Sequence, residues 1–252
     1  MSVLKEISAF ASRVSSFVDS INLEDIKNTT YKTIDTFGTN YENILSQALN
    51  ETIYMSFVST FLGFLLAIIP GILLAITDKN GLCENKKFYN ILDFLTNIIR
   101  SFPFLILIIV LLPLTKIIIG KTIGTTAIIV PLTLGIAPYL AKIIESALKE
   151  VDKGVIEAAK SYGATNLQII SKVMFVEALP SIINGLTLTL IIIIGFSAMA
   201  GTVGGGGLGD VAMRYGYERF MIEVMIQTVI ILIVLVQVIQ IIGNLLYKLT
   251  KK

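Results

Sequence analysis

The sequence predicts an all-α integral membrane protein: five transmembrane helices with a polar helical loop on the cytoplasmic side. Three observations carry that reading. Apolar residues make up 54% of the chain and charged ones only 15%, a balance unlike that of a soluble globule. The apolar residues gather in runs long enough to cross a hydrocarbon core of about 30 Å, which takes about 20 residues at 1.5 Å each. Between two of those runs lies a single strongly polar, helix-forming stretch.

In chain order, residues 1–45 read as an N-terminal amphipathic or flexible extension and 46–252 as the transmembrane domain. In the extension Leu4, Ile7, Ala11, Val14, Val18 and Ile21 keep a three–four spacing, as a surface-lying helix does. No uninterrupted apolar stretch is present there, so a secretory signal peptide is not expected. The first span covers about 53–77 and carries no charge; Pro70 and Gly71 are placed to kink it. The second, about 88–114, is interrupted by Arg100 and Pro103. A charge at the bilayer centre costs about 2.5–3.5 kcal/mol on insertion scales, so Arg100 is expected at the cytoplasmic edge. Phe88 to Ile99 then form an interfacial lead-in, and Pro103 marks the bend. The third span covers about 122–147, the fourth 181–203 and the fifth 224–247.

Five crossings place the two ends on opposite sides. Lys79, Lys86 and Lys87, the lysines of the 151–180 loop, and the tail with Lys248, Lys251 and Lys252 all fall on one side. Basic loops stay in the cytoplasm, which puts the N-terminus outside and the C-terminus inside a bacterial plasma membrane.

Composition also excludes chemistry. With no histidine and one cysteine, Cys83, the chain offers no histidine-based catalysis, no internal disulfide and no metal site. A net charge of +2 gives no reason to expect nucleic acid as a partner. Gly204, Gly206 and Gly209 fit G-x-G-x-x-G but follow a membrane helix rather than a strand, so the dinucleotide reading fails its context. Gly120-Lys121-Thr122 resembles the end of a phosphate-binding loop, yet Thr115 stands where its first glycine belongs. No ATP hydrolysis is expected of this chain, nor any cofactor within it.

The polar stretch, 151–180, reads as two short amphipathic helices. The first, about Lys153 to Tyr162, is closed by Gly163 in a left-handed cap. The second follows Thr165 as N-cap, with Leu167, Ile170, Val173 and Met174 on one face. Ala158 and Ala159 leave a flat surface beside Glu157 that a partner can approach closely. The bland alternative is an ordinary polar loop between spans.

Glu157-Ala158-Ala159, followed after three residues by Gly163, resembles the EAA loop of ABC-importer permeases. Where that pattern continues to Ile-x-Leu-Pro, this chain has Val173, Met174, Phe175 and Val176, and its proline comes later as Pro180. Arg100 to Val151 and Ser197 to Phe220 are similar to the permease subunit of methionine importers, and the likeness extends over about Tyr41 to Lys248. It implies a type I ABC importer permease that works as a homodimer with two ATPase subunits, which bind ATP and Mg. An extracytoplasmic methionine-binding lipoprotein would deliver the substrate, with lipid as the surrounding medium. Glu157, Ala158, Ala159 and Gly163 would couple to the ATPase. Ser197, Met199 and Gly201 would lie along the translocation path near an outer gate, where Met199 can plug an apolar constriction and small residues allow close approach about a two-fold axis. Asp210, Arg214, Tyr215 and Tyr217 would follow on the outer face. The implied cargo is L-methionine and its D-enantiomer. The alternatives are a permease for another small amino acid or polar solute, or a membrane scaffold subunit without a pathway.

Overall fold

The computed structural model describes residues 41–251, with isolated positions 12 and 16 before them; the helix expected over 4–21 otherwise lies outside the described residues. Among the described residues four helices are long and apolar enough to cross a membrane: α1 (Tyr41–Thr77), α4 (Thr125–Lys149), α6 (Asn166–Gly201) and α8 (Ile222–Thr250). A bent pair, α2 (Lys86–Ser101) and α3 (Phe104–Ile119), meets at 104° and makes a fifth crossing if taken as one broken span. Two short helices complete the set, α5 (Lys153–Ser161) and α7 (Gly207–Val211).

The bend in the second crossing follows from Pro103. Proline disfavours helical backbone in the residue before it, and Phe102 is extended at φ −74°, ψ 131°. Pro103 itself caps α3, whose first turn does not need the missing N–H. Arg100 lies in the last turn of α2 at this bend. Its guanidinium stacks on Tyr139, 4.9 Å from the ring centroid. Tyr139 lies on α4 three residues before Lys142, the first charged residue of that helix. The ring face and the bend supply a place for the charge that sequence spacing alone does not reveal.

The core is organised on α4, the most buried of the long helices, whereas α8 is the least buried. Leu132, Ile136, Leu140, Ile144 and Leu148 form its fully enclosed stripe at intervals of four. Among lipid tails apolar side chains gain nothing by leaving the medium, so helix association depends on close van der Waals fit. Glycines of α1 provide that fit. A methyl group on Gly63 would come 2.7 Å from Ile136 Cγ2, and one on Gly71 would come 2.8 Å from Ile144 Cβ. Threonines inside the bundle hide their hydroxyls by donating to the carbonyl four residues back, as Thr60 does to Ser56 and Thr189 to Gly185.

The polar loop is folded differently from the two separate helices expected. α5 stands alone, but its successor does not stop: α6 runs unbroken through Pro180 into the fourth crossing. From Thr165 to Pro180 the sequence has no glycine to end a helix. The missing Pro180 N–H costs one hydrogen bond, and a π-helical turn at Ile169–Met174 readjusts the spacing ahead of it.

Candidate functional site

Two regions hold the residues singled out in the sequence, and α6 joins them. At its N-terminal end, α5 begins with Asp152, whose carboxylate accepts from the Gly154 N–H at 2.6 Å. It ends in a Schellman turn: Gly163 N–H donates to the Lys160 carbonyl and Ala164 N–H to that of Ala159. That turn requires φ of +79° at Gly163, where the space for a side chain is open. Glycine is needed there for its backbone and not for lack of room. Thr165 and Gln168 then form a capping box that starts α6.

The loop has an anchored face and an offered face. Ile156 and Ala159 pack with Leu82, Leu148, Val151, Ile169 and Met174. Glu157, Ala158, Tyr162, Gly163 and Leu167 face outward, Tyr162 being 92% exposed and Leu167 75%. Of the face shared with Ile170, Val173 and Met174, Leu167 is the exposed end and Met174 the buried one. An exposed tyrosine and leucine flanking a small-residue surface present apolar area that isolated folding does not consume.

Beneath the loop lies a charge network spread over three elements. Glu145, almost fully buried, accepts from Lys142 at 2.6 Å, from Lys149 at 2.5 Å and from the Tyr89 hydroxyl at 2.9 Å. Lys149 also pairs with Asp78 at 2.7 Å, and Lys142 with Asp93. The network ties the α1–α2 loop and α2 to the Lys149 end of α4. The hydrogen bond from Lys149 holds the Asp78 carboxyl below its ordinary range. Sequence reading missed these partners because they join positions as far apart as Tyr89 and Glu145; two lysines and a glutamate at three–four spacing on α4 were the available signal.

At the far end of α6, Ser197 is buried and donates to the Ile194 carbonyl at 2.8 Å. Gly201 is also buried, and its partner is within the chain: a side chain there would collide with the Gly209–Asp210 backbone. Met199 is 49% exposed and faces a cleft of about 550 Å³ at the α2–α3 bend, with Phe102, Phe104, Tyr139 and Phe196 in its walls. The glycine run folds as a turn, with positive φ at Gly204, Gly206 and Gly207. It leads into α7, whose first N–H groups are already occupied: Gly207 donates to Glu51 at 2.8 Å and Leu208 to Thr52 Oγ1 at 2.9 Å. The anion that the dinucleotide look-alike would bind is supplied by the chain itself. Asp210 and Arg214 pair at 2.8 Å on the same helical segment.

Residues 67–252 match the model of the binding-protein-dependent transport system inner membrane component family. The chain belongs to that family. It is 53% identical over 206 residues to the probable D-methionine transport system permease protein MetI of Vibrio cholerae, covering 82% of this chain and 92% of the relative. It is 43% identical over 208 residues to the methionine import system permease protein MetP of Bacillus subtilis, covering 82% and 94%. An inward-facing structure of the MetNI methionine ABC transporter superposes with a TM-score of 0.82 at 42% identity, over 83% of this chain and 97% of that one. Within this ABC-importer permease fold, Glu157, Ala158, Ala159 and Gly163 share one surface loop. Ser197, Met199 and Gly201 occupy the far end of α6, the helix that starts just after that loop, about 50 Å along its axis from Asn166.

Proposed function

We propose that this chain is the membrane subunit of a methionine importer, acting as a homodimer on two copies of a separate ATPase. The observation that carries this is the loop at 153–168: one face anchored to the bundle, the other exposed, with no span interrupted to make it. In this reading the loop lies in the cytoplasm, held there by the lysines around it, while the N-terminus is outside. Glu157 and Ala158 meet the ATPase, and nucleotide-driven closure of that partner moves α5 and the start of α6 as one unit. ATP and Mg belong to the partner. A binding protein delivers substrate to the outer end, as the family's description supports, and Met199 obstructs the path between deliveries. Substrate identity rests on the two relatives named for methionine.

The test is co-purification with the ATPase, reconstitution in liposomes, and uptake of labelled L- and D-methionine with and without a binding protein. Uptake that requires ATP on the loop side is expected. An assembled, ATP-hydrolysing complex that moves other amino acids but not methionine would reassign the substrate. Met199→Ala is expected to raise ATP hydrolysis in the absence of substrate; hydrolysis and uptake both at wild-type level would remove Met199 from the gate.

A further inference from the structure

Polar side chains inside a crossing usually bond to a neighbouring helix. Near the Lys149 end of the bundle several do not. There α4, α6 and α8 enclose a hollow of about 430 Å³, lined by Ser146, Glu150, Ser181, Asn184, Asn244 and Tyr247 beside small apolar residues. Glycines draw the three helices together around it. A methyl group on Gly185 of α6 would strike Ile143 of α4, and one on Gly243 of α8 would strike Thr187 of α6. Asn184, one turn beyond Ser181 on α6, has no hydrogen-bond partner among the described residues. Asn244 makes its bond on its own helix, where Oδ1 accepts from Gln240 Nε2 at 2.9 Å, so its amide N–H groups remain to be given. Glu150 Oε2 accepts from the Ser181 hydroxyl at 2.9 Å. Among the described residues no lysine or arginine pairs with this carboxylate, and none lines the hollow. The hollow thus joins an anion without a counter-ion to amide donors without acceptors. Ser146, Glu150, Asn184 and Asn244 are all exposed, so a solute can reach them.

We propose that this hollow holds the head of an α-amino acid on the loop side of the crossings, as the last station before release. Glu150 takes the ammonium, and the amides of Asn184 and Asn244 take the carboxylate, each bond having a charged member. Spacing supports this. Ser181 and Asn184 are neighbours on one face of α6, about 5–6 Å apart at Cβ, and Ser181 holds the carboxylate of Glu150. An ammonium and a carboxylate borne on one carbon can therefore reach both groups. The volume lies within the range of small-molecule sites, about 300–1,000 Å³. The donors to the carboxylate are neutral amides rather than a cation, which suits weak holding and prompt release. Ile143, Ala147 and Gly185 give the solute's side chain only an apolar margin, so apolar amino acids are accepted alike. The inference rests on the importer reading above and adds to it the groups that the cargo meets on leaving.

The experiment uses the permease–ATPase complex in nanodiscs of phosphatidylcholine and phosphatidylglycerol, neither of which carries an amino-acid head. A methionine analogue with a side-chain diazirine is photolysed without nucleotide, and its crosslinks on this chain are mapped by mass spectrometry. Uptake is measured on the same complex in liposomes. Labelling is expected in the peptides holding Ile143, Ala147 and Gly185, with protection by excess methionine. Methioninol, which lacks the carboxylate, and the 2-hydroxy acid, which lacks the ammonium, should each protect about tenfold less well. Leucine should protect within about threefold of methionine. Glu150→Gln should weaken protection by methionine and leave that by the hydroxy acid unchanged, whereas a merely structural role would weaken both alike. Asn184→Ala should weaken both. Equal protection by methioninol and methionine, or labelling confined to other peptides of a complex that transports, would overturn the site, and neither result depends on a variant. Loss of labelling when phosphatidylserine is added would give the hollow to a lipid head instead. Head-dependent labelling in a complex that takes up no methionine would keep the site and remove the importer reading.

Discussion

The two ends of the helix bundle are held in opposite ways, the loop side being the inner one in the proposed importer. At the inner end of α4, long charged side chains converge: Lys142 and Lys149 share Glu145 and reach out to Asp93 and Asp78. At the outer end backbone lies directly on backbone, Gly201 against Gly209 and Asp210, with Gly205 pressed toward the Ala200 carbonyl. Side-chain ion pairs can be re-formed over several geometries, whereas a glycine contact admits only one. In the proposed importer the inner end would move with the partner while the outer end keeps its shape.

That contrast can be broken most forcefully at the outer end. Gly209→Ala puts a methyl group into the Ala198 backbone, and backbone cannot step aside as a side chain can. A cost of about 3 kcal/mol or more is expected, read as loss of folded protein in a detergent melt. A melt unchanged by this substitution would mean that the outer end is as pliable as the inner one. The next effect is at Glu145→Gln. Each lysine keeps its aspartate, so the loss should be about 2 kcal/mol, together with less methionine moved per ATP hydrolysed. A stability loss with the transport ratio unchanged would make the network a brace only.

Gly163→Val sharpens the comparison further. The open space around Gly163 leaves only the backbone cost, about 1–2 kcal/mol for a left-handed residue. Membrane insertion should be normal, with weaker ATPase binding in a pull-down; wild-type binding and uptake would take Gly163 out of the coupling surface. The smallest effect concerns Asp78. Its folded-state carboxyl titrates below the ordinary value, so its contribution is complete at neutral pH and is lost as pH falls below about 4. Because Asp78 is about one-third exposed, the contribution should be about 0.5 kcal/mol. Between pH 5 and 8 the difference in melting temperature between wild type and Asp78→Asn should be constant, and it should shrink only in acid.

The crossings were legible because each is a long apolar run, and Pro103 announced the bend between α2 and α3. Gly163 and Thr165 were legible too, since a left-handed cap and a capping box are written in adjacent residues. What lies far apart in the chain was not. Glu51 sits two residues before the first apolar run and reads as its polar margin, yet it caps α7, 156 positions away. The ring of Tyr139 on which Arg100 stacks is 39 positions away and leaves no mark beside Arg100 in the sequence. The length of the loop's second helix was not legible. The family pattern's proline is absent at Val176, no glycine follows Thr165 before Pro180, and the helix continues through Pro180.

The continuity of α6 has a mechanical consequence. Its 36 residues span about 54 Å, and a helix that long transmits axial push and twist with little loss. A displacement at Leu167 therefore arrives at Met199 in one stroke, without relay through a second joint. In the proposed importer, the widened turn at Ile169–Met174 and the gap at Pro180 are the two places along α6 where part of such a displacement would be absorbed.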